Sequence, residues 1–184
     1  MVRFADDFLI MFQYERDAQR VYEAVIKRME LFGLELSKEK TRILPFGRYS
    51  GSRETFDFLG FTHFNSKTRK GYYSVGHKIS RKKKKQFKSN LKKWVKENRN
   101  TQFDEFMKAL NKKLTGSFNY YSLSGMIREV RNLWQHSLYV TFKWLNRRSQ
   151  RRSFKLERFY EIWNDRIIHP YIHVDIWSGD KVIY

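Results

Sequence analysis

The feature that most restricts the fold is the spacing of apolar residues after Ser80, where they recur at every third or fourth position. This period predicts amphipathic helices that each bury one face. The first helix has its apolar stripe at Phe87, Leu91, Trp94 and Val95. Because such helices bury their stripes against one another, this half of the chain is expected to form an α-helical bundle.

Three further helices are expected in the bundle. A capping-box pattern at residues 101–104 and the stop residue Gly116 delimit the second helix. The third is expected from about residue 124 to about residue 150. The fourth contains residues 159–163 and must end before Pro170.

Ahead of residue 65 the pattern changes to short strand-like runs and one helix. Residues 2–12 have strand-type side chains on both sides of Asp6 and Asp7, which predicts a β-hairpin with the acidic pair at its tip. Helical spacing over residues 14–32 predicts a helix that Gly33 ends. The segments LELSKEKTRIL and FDFLGFTHF are each expected to be a strand.

The charge of the chain is divided unequally between these two parts. The 184 residues carry 38 basic and 19 acidic side chains, a net charge of +19, yet residues 1–61 are neutral with 10 of each sign. Residues 62–184 therefore carry the whole excess, interleaved with aromatic residues. Such a charge calls for a polyanionic partner, and aromatic rings suit nucleic acid because bases stack on them. A basic binder of membrane surfaces is the alternative.

The sequence contains no cysteine, which excludes disulfides, thiolate zinc sites and cysteine nucleophiles. No apolar run approaches the roughly 18 residues of a membrane span, and the N-terminus lacks a basic-then-apolar signal pattern. These features are typical of a protein of the reducing cytoplasm, in which metal ligands would be oxygen or histidine.

Several motifs in order resemble those of group II intron reverse transcriptase/maturases. A hairpin with FADD, then GLELSKEKTRI and FDFLGF, resemble the end of a reverse transcriptase palm, and LNKKLTGSFNYYSLSG with FKWLNRRSQRRSF resemble the thumb, or X domain. The resemblance implies an α+β fold, in which a partial palm of β-hairpin, helix and strands precedes a helical thumb bundle. It places the C-terminal half of the palm at 1–65, a connector at 66–80, the thumb/X (maturase) domain at 81–168 and a tail at 169–184. Since this hairpin lies deep in such proteins, the sequence is expected to start within a domain.

The resemblance also implies catalytic roles for Asp6, Asp7 and Lys40. Such enzymes use two Mg²⁺ ions, one activating the primer 3′-oxygen and one clamping the triphosphate, and hard cations take carboxylate ligands. Asp6 would be the metal ligand and Asp7 its companion, while Lys40 would contact the triphosphate or protonate pyrophosphate. A third carboxylate from an earlier palm strand has no counterpart here, so the chain alone is expected to be inactive. An ordinary turn for the aspartates and a solvated Lys40 are the alternatives.

The position of FDFLGF within the family pattern implies a primer grip at Leu59, Gly60 and Phe61. There Gly60 would let the backbone approach the primer end. A glycine buried in a strand is the alternative.

The basic face of the second half is expected to bind RNA phosphates. On one continuous helix Lys143, Arg147 and Arg151 would form a row, and Arg148, Arg152 and Lys155 a neighbouring row. Such a face suits A-form RNA, which is recognised largely through its backbone and shape. A solubilising surface is the alternative.

Two further groups complete the expected nucleic-acid contacts. The basic start of the first bundle helix contributes Lys82, Lys83, Lys84 and Lys85, for which a solvated helix start is the alternative. The NYYSLSG segment contributes Asn119, Tyr120 and Tyr121, and one of the two tyrosines is expected to lie in the core. Core positions are also expected for the tryptophans Trp94, Trp134, Trp144 and Trp163.

These features together predict the C-terminal portion of a group II intron reverse transcriptase/maturase that binds intron RNA and primer–template for splicing and reverse transcription. A non-catalytic RNA-binding maturase fragment or a truncated remnant is the alternative. The expected partners are the intron RNA, an RNA/DNA primer–template and a separate chain carrying the fingers and the first half of the palm. An incomplete palm sheet would also expose an apolar face and an unpaired edge, which favours self-association.

Overall fold

A computed structural model describes residues 1–37, 39–148 and 153–172 and divides the chain into two compact units. We call Met1–Leu59 with His63–Gly76 the N-terminal unit, and Gly60–Thr62 with the residues from His77 onward the helical unit. Strands and one helix form the first, and four helices dominate the second. The expected α+β class is confirmed.

The N-terminal unit begins with the expected hairpin. Strands β1 (Val2–Phe4) and β2 (Asp7–Leu9) pair antiparallel, with Phe4 opposite Asp7. Helix α1 (Glu15–Leu31) follows, and Gly33, with a φ of 66°, lies just beyond its end. This positive φ suits glycine, which has no Cβ to clash, so the predicted stop is confirmed.

The strand predicted for LELSKEKTRIL is wrong. In the described part of residues 34–46 the backbone is irregular, and the amides of Lys40 and Thr41 both donate to the carbonyl of Ser37 at 3.0 and 2.9 Å. These local hydrogen bonds form a turn within the segment, in place of hydrogen bonds to a neighbouring strand.

A three-stranded sheet contains β3 (Thr55–Phe58), β4 (Phe61–Lys67) and β5 (Tyr73–Ile79) in that order. The prediction of one strand for FDFLGFTHF is therefore wrong, because a turn at Leu59 and Gly60 divides the segment into β3 and β4. Strand β5 lies where a connector is expected, although its apolar Tyr73, Val75 and Ile79 alternate with smaller or polar residues as in a strand.

The helical unit contains α2 (Arg81–Asn98), α3 (Phe103–Tyr121), α4 (Ile127–Leu145) and α5 (Leu156–Arg166). All four predicted helices are confirmed, but both predicted ends of α3 are wrong, and α4 ends at Leu145 and not near residue 150. Gln102 caps α3, accepting a hydrogen bond from the Glu105 amide at 3.1 Å. The helix continues past Gly116 because burial of Phe118 one half-turn later outweighs the weak helix propensity of glycine.

The core of the helical unit joins the predicted stripes of its helices. Its fully buried members include Leu91 and Val95 of α2, Leu110 and Leu114 of α3, and Trp163 of α5. Among the described residues, no helix is both long and apolar enough to cross a bilayer.

Candidate nucleic-acid interface

The turn between β3 and β4 is built by two residues with left-handed backbone angles. Leu59 has a φ of 50° and Gly60 a φ of 82°, the two positive angles that a type I′ hairpin turn requires. Such an angle is unfavourable for leucine and costs about 1 kcal/mol or more. The carbonyl of Gly60 accepts a hydrogen bond from the Ser80 amide at 2.9 Å, which fixes the turn to the start of α2.

Two predicted contact residues lie against the turn at Gly60. A Cβ at this position would lie 3.4 Å from the Cγ of Lys83 and 3.6 Å from the phenolic oxygen of Tyr121. The structure therefore brings together three residues that are distant in sequence. This contact joins the predicted primer grip to the predicted nucleic-acid contacts.

Phe61, the last residue of the predicted grip, packs against both tyrosines of NYYSLSG. Its ring stacks on Tyr120 with centroids 5.6 Å apart and meets the edge of Tyr121 at the same distance. Tyr121 is half-buried beside the core, and burial, together with the neighbouring Tyr120, raises the pKa of its phenol. The expected core position is thus confirmed for Tyr121. Tyr120 keeps 52% of its surface exposed, and the preceding Asn119 is also exposed.

The lysines at the start of α2 have different environments. Ser80 caps the helix, and its hydroxyl accepts a hydrogen bond from the Lys83 amide at 3.3 Å. Lys82, Lys83 and Lys85 are exposed, whereas the ammonium of Lys84 lies 2.9 Å from the carboxylate of Glu129 on α4. The charge of Lys84 is therefore already partly compensated by protein.

A longer cationic row runs the whole length of α2. Its members lie four, three, four and four residues apart, which places them on one side of the helix. All are exposed, and none forms an ion pair within the described part of the chain. We call Arg81, Lys85, Lys88, Lys92 and Lys96 the α2 row. At 1.5 Å per residue it extends over roughly 22 Å.

Helix α4 runs beside α2 in the same direction. Lys84 contacts Glu129 near the start of both helices, and Lys96 contacts Trp144 near their ends. Between these contacts His136 lies close to Lys88. Burial, and to a smaller extent the charge of Lys88, lowers the pKa of His136.

The two helical rows predicted around residues 143–155 are wrong in their geometry. Lys143 is exposed on α4, but the helix ends at Leu145, so Arg147 and Arg148 follow it in a turn. The Arg148 guanidinium donates from Nε to the Leu145 carbonyl at 3.2 Å. Arg151 and Arg152 lie outside the described residues.

Trp144, near the end of α4, is surrounded by cations that the sequence did not associate with it. The charged groups of Lys96, Arg99 and Arg147 lie 5.9, 5.4 and 5.5 Å from its ring centroid. The ring is half-buried, as is that of Trp94, whereas Trp134 and Trp163 are buried as predicted. No sequence pattern identifies this cluster, because two of its cations come from the end of α2 and the third from the turn after α4, which are far apart along the chain.

The acidic pair lies at the tip of the N-terminal hairpin. Ala5 has a φ of 50°, Asp6 is the second residue of the turn, and Asp7 begins β2. Both carboxylates and Lys40 are exposed. Carboxylates are the right kind of ligand for Mg²⁺. However, over residues 1–37, 39–148 and 153–172 the structure gathers no group of three or more potential metal-binding side chains, so we derive no metal-dependent step.

Two family models match the chain. Residues 1–63 match the reverse transcriptase (RNA-dependent DNA polymerase) family, and residues 84–161 match the group II intron maturase-specific domain. No curated protein and no solved structure gave a significant match. Reverse transcriptases generally use Mg²⁺, and a maturase-specific domain implies binding of intron RNA.

Proposed function

Because the chain belongs to the group II intron reverse transcriptase/maturase family, with the end of a reverse transcriptase domain followed by a maturase-specific domain, we propose that the α2 row is its main RNA-binding surface. The row is the observation that carries this proposal. Four of its five cations lie within the match to the maturase-specific domain. We assign the palm to residues 1–65 and the thumb/X domain to residues 81–168.

The form of the α2 row suits duplex RNA better than a compact anion. Its five cations form a line, without an acidic partner among the described residues, and RNA presents phosphates in a line. Lys82 and Lys143, which are also exposed, extend this surface, together with Arg148 and, by sequence, Arg151 and Arg152. Lysine binds phosphate as a point charge and therefore does not distinguish one RNA sequence from another. This property suits a surface that recognises the RNA backbone.

We assign the primer end of a primer–template to the turn formed by Leu59, Gly60 and Phe61. The exposed ring of Tyr120 offers a face on which a base can stack, and Phe61 holds that ring from the other side. Lys83 lies against the same turn and would pair with a backbone phosphate. Asn119, also exposed, would add a hydrogen bond.

We assign to Asp6 and Asp7 two of the ligands of a two-ion Mg²⁺ site, which would supply activation of the primer oxygen and neutralisation of the triphosphate when complete. The turn holds Asp6 and Asp7 next to each other and exposed, which favours this assignment. Lys40 would contact the triphosphate.

The remaining ligand would come from a separate chain that carries the fingers and the first half of the palm. The apolar surface of the N-terminal unit supports such a partner. Ala18 is the only buried apolar residue among its described residues, whereas Phe4, Leu31 and Phe32 are all more than 60% exposed. Self-association through the same surface is the competing use of it.

Since intron RNA is made inside the cell, we assign the protein to the cytoplasm.

The experiment that tests the proposal compares the full chain with a variant carrying Lys85→Gln, Lys88→Gln and Lys92→Gln. We expect the wild-type chain to bind a group II intron transcript more tightly than double-stranded DNA of equal length, and the variant to lose most of that affinity. An unchanged affinity of the variant for the transcript would refute the α2 row as the RNA-binding surface.

A second assay separates the polymerase function from the maturase function. Primer extension is measured with the chain alone and with an added reverse transcriptase segment that carries fingers and the first palm aspartate. Extension that appears only in the mixture, and is lost in Asp6→Ala, supports the polymerase assignment. Accelerated intron splicing by the chain alone, unchanged in Asp6→Ala, favours the non-catalytic alternative.

A further inference from the structure

The cluster at Trp144 concentrates positive charge, and no ion pair among the described residues compensates it. Lys96, Arg99 and Arg147 each lie within 5.9 Å of one ring centroid, so any two of them lie within twice that distance of each other. That separation is close to the Debye length of about 8–10 Å at physiological ionic strength, so solvent ions do not fully screen their repulsion.

The indole ring alone does not balance three cations. An aromatic ring attracts a cation over its face, and it has only two faces, so at least two of the three share one. An exposed cation–π contact contributes about 0.5–1 kcal/mol, which is comparable to the mutual repulsion of neighbouring charges near a surface. None of the three cations forms an ion pair within the parts of the chain that the structure describes.

The three cations are nevertheless held in place by the fold. Trp144 is half-buried on α4, Arg99 is the C-cap residue of α2, and Arg147 donates its amide to the Trp144 carbonyl at 3.2 Å. Lys96 is the last member of the α2 row. The cluster therefore continues the row and ends in two guanidinium groups, which can each make two parallel hydrogen bonds to one phosphate.

We propose that Lys96, Arg99 and Arg147 form a binding site for a backbone phosphate of RNA, with the Trp144 ring as their common support. The inference rests on the proposed RNA-binding function and deepens it. The α2 row supplies diffuse attraction along the helix, whereas this cluster fixes one phosphate at its end. A bound phosphate removes the repulsion among the three cations and is recognised bidentately by arginine.

The test uses the full chain and a short A-form RNA duplex, whose affinity is measured as a function of salt. The cluster variant carries Lys96→Gln, Arg99→Gln and Arg147→Gln. The matched control carries Lys70→Gln, Lys108→Gln and Lys112→Gln, which removes the same charge from exposed positions outside the cluster. We expect the cluster variant to bind on the order of tenfold more weakly than the control at 0.1 M salt, with a salt slope smaller by about one.

Two further measurements distinguish a phosphate site from a purely structural cluster. Without RNA and at low salt, the cluster variant should melt no lower than the control, because it has lost mutual repulsion. Wild-type tryptophan emission should change when RNA binds, and this change should be smaller in Trp144→Phe. A lower melting temperature with RNA affinity equal to that of the control would overturn the inference. Should the triple variant fail to fold, Arg147→Gln alone must weaken binding, since Arg147 is exposed and follows the helix.

The outcomes also separate this inference from the proposed function. If the wild-type chain fails to bind the duplex, the proposed function is wrong. If it binds, and Lys85, Lys88 and Lys92 are required while the cluster variant behaves as its control, then only the phosphate site is wrong.

Discussion

Removal of three charges from the α2 row should change RNA binding by an amount that the structure allows us to calculate. The variant replaces Lys85, Lys88 and Lys92 with glutamine, which keeps an unbranched polar side chain of similar helix propensity and deletes the cations. All three are exposed, and none pairs with a carboxylate among the described residues, so each is available to a phosphate. Each phosphate contact on a duplex contributes about 0.9 to the slope of log affinity against log salt.

Three lost contacts therefore reduce that slope by about 2.7. If affinity at 1 M salt is unchanged, the affinity of the variant at 0.1 M salt is lower by about 2.7 logarithmic units, which is roughly 500-fold or about 3.7 kcal/mol. The assay is fluorescence anisotropy of a labelled RNA duplex over a salt series.

The control for this experiment is the variant with Lys70, Lys108 and Lys112 replaced by glutamine, since it has the same net charge. We expect it to keep the wild-type slope, because a phosphate contact is lost only where RNA is bound. Equal slopes for the two variants would refute the argument, since binding would then depend on total charge and not on the row.

Three further predictions concern other parts of the chain. Burial and Lys88 lower the pKa of His136, so protonation of this ring opposes folding. The free energy of unfolding should be fully retained above the usual pKa of about 6.5 and should fall as the pH decreases below it. His136→Gln should show less of this loss in denaturant titrations between pH 5 and 7. A Cβ at Gly76 would lie 2.5 Å from a phenylalanine ring, so Gly76→Ala should destabilise the fold by about 1–3 kcal/mol. Gly116 lies in a helix with open space around its Cβ position, so Gly116→Ala should stabilise the fold by about 0.5–1 kcal/mol in the same assay. Tyr120→Ala should weaken primer–template binding by about 1–3 kcal/mol with little effect on stability, and a loss of stability without loss of binding would assign this ring to the core.

The helices were predictable because their evidence is local. Burial of Leu91, Leu110 and Trp163 follows from spacing within single segments, and the family motifs are likewise continuous in sequence. The wrong predictions arose where a distant residue decides the local structure. Gly116 does not end α3 because the turn after it is buried, and the continuous helix expected to carry Arg147 ends at Leu145.

The candidate site was predictable as a set of residues but not as an arrangement. Sequence motifs indicated Gly60, Tyr121 and the lysines of α2 separately, and only tertiary packing brings Lys83 and Tyr121 against Gly60. The cluster at Trp144 is predicted only in part, since Arg147 is expected to bind phosphate whereas Trp144 is expected in the core and Arg99 belongs to no motif. Contacts between residues far apart in sequence leave no periodic pattern along the chain.

The apolar surface of the N-terminal unit has a consequence for the life of the protein in the cell. A unit with Ala18 as the one buried apolar side chain among its described residues gains little free energy from folding by itself. Its unfolded fraction should therefore be large whenever no partner covers that surface, and cellular proteases act on this fraction. We expect the amount of this chain to follow the supply of its partner, with unassembled copies degraded first. Pulse-chase labelling with and without the co-expressed reverse transcriptase segment measures this dependence directly.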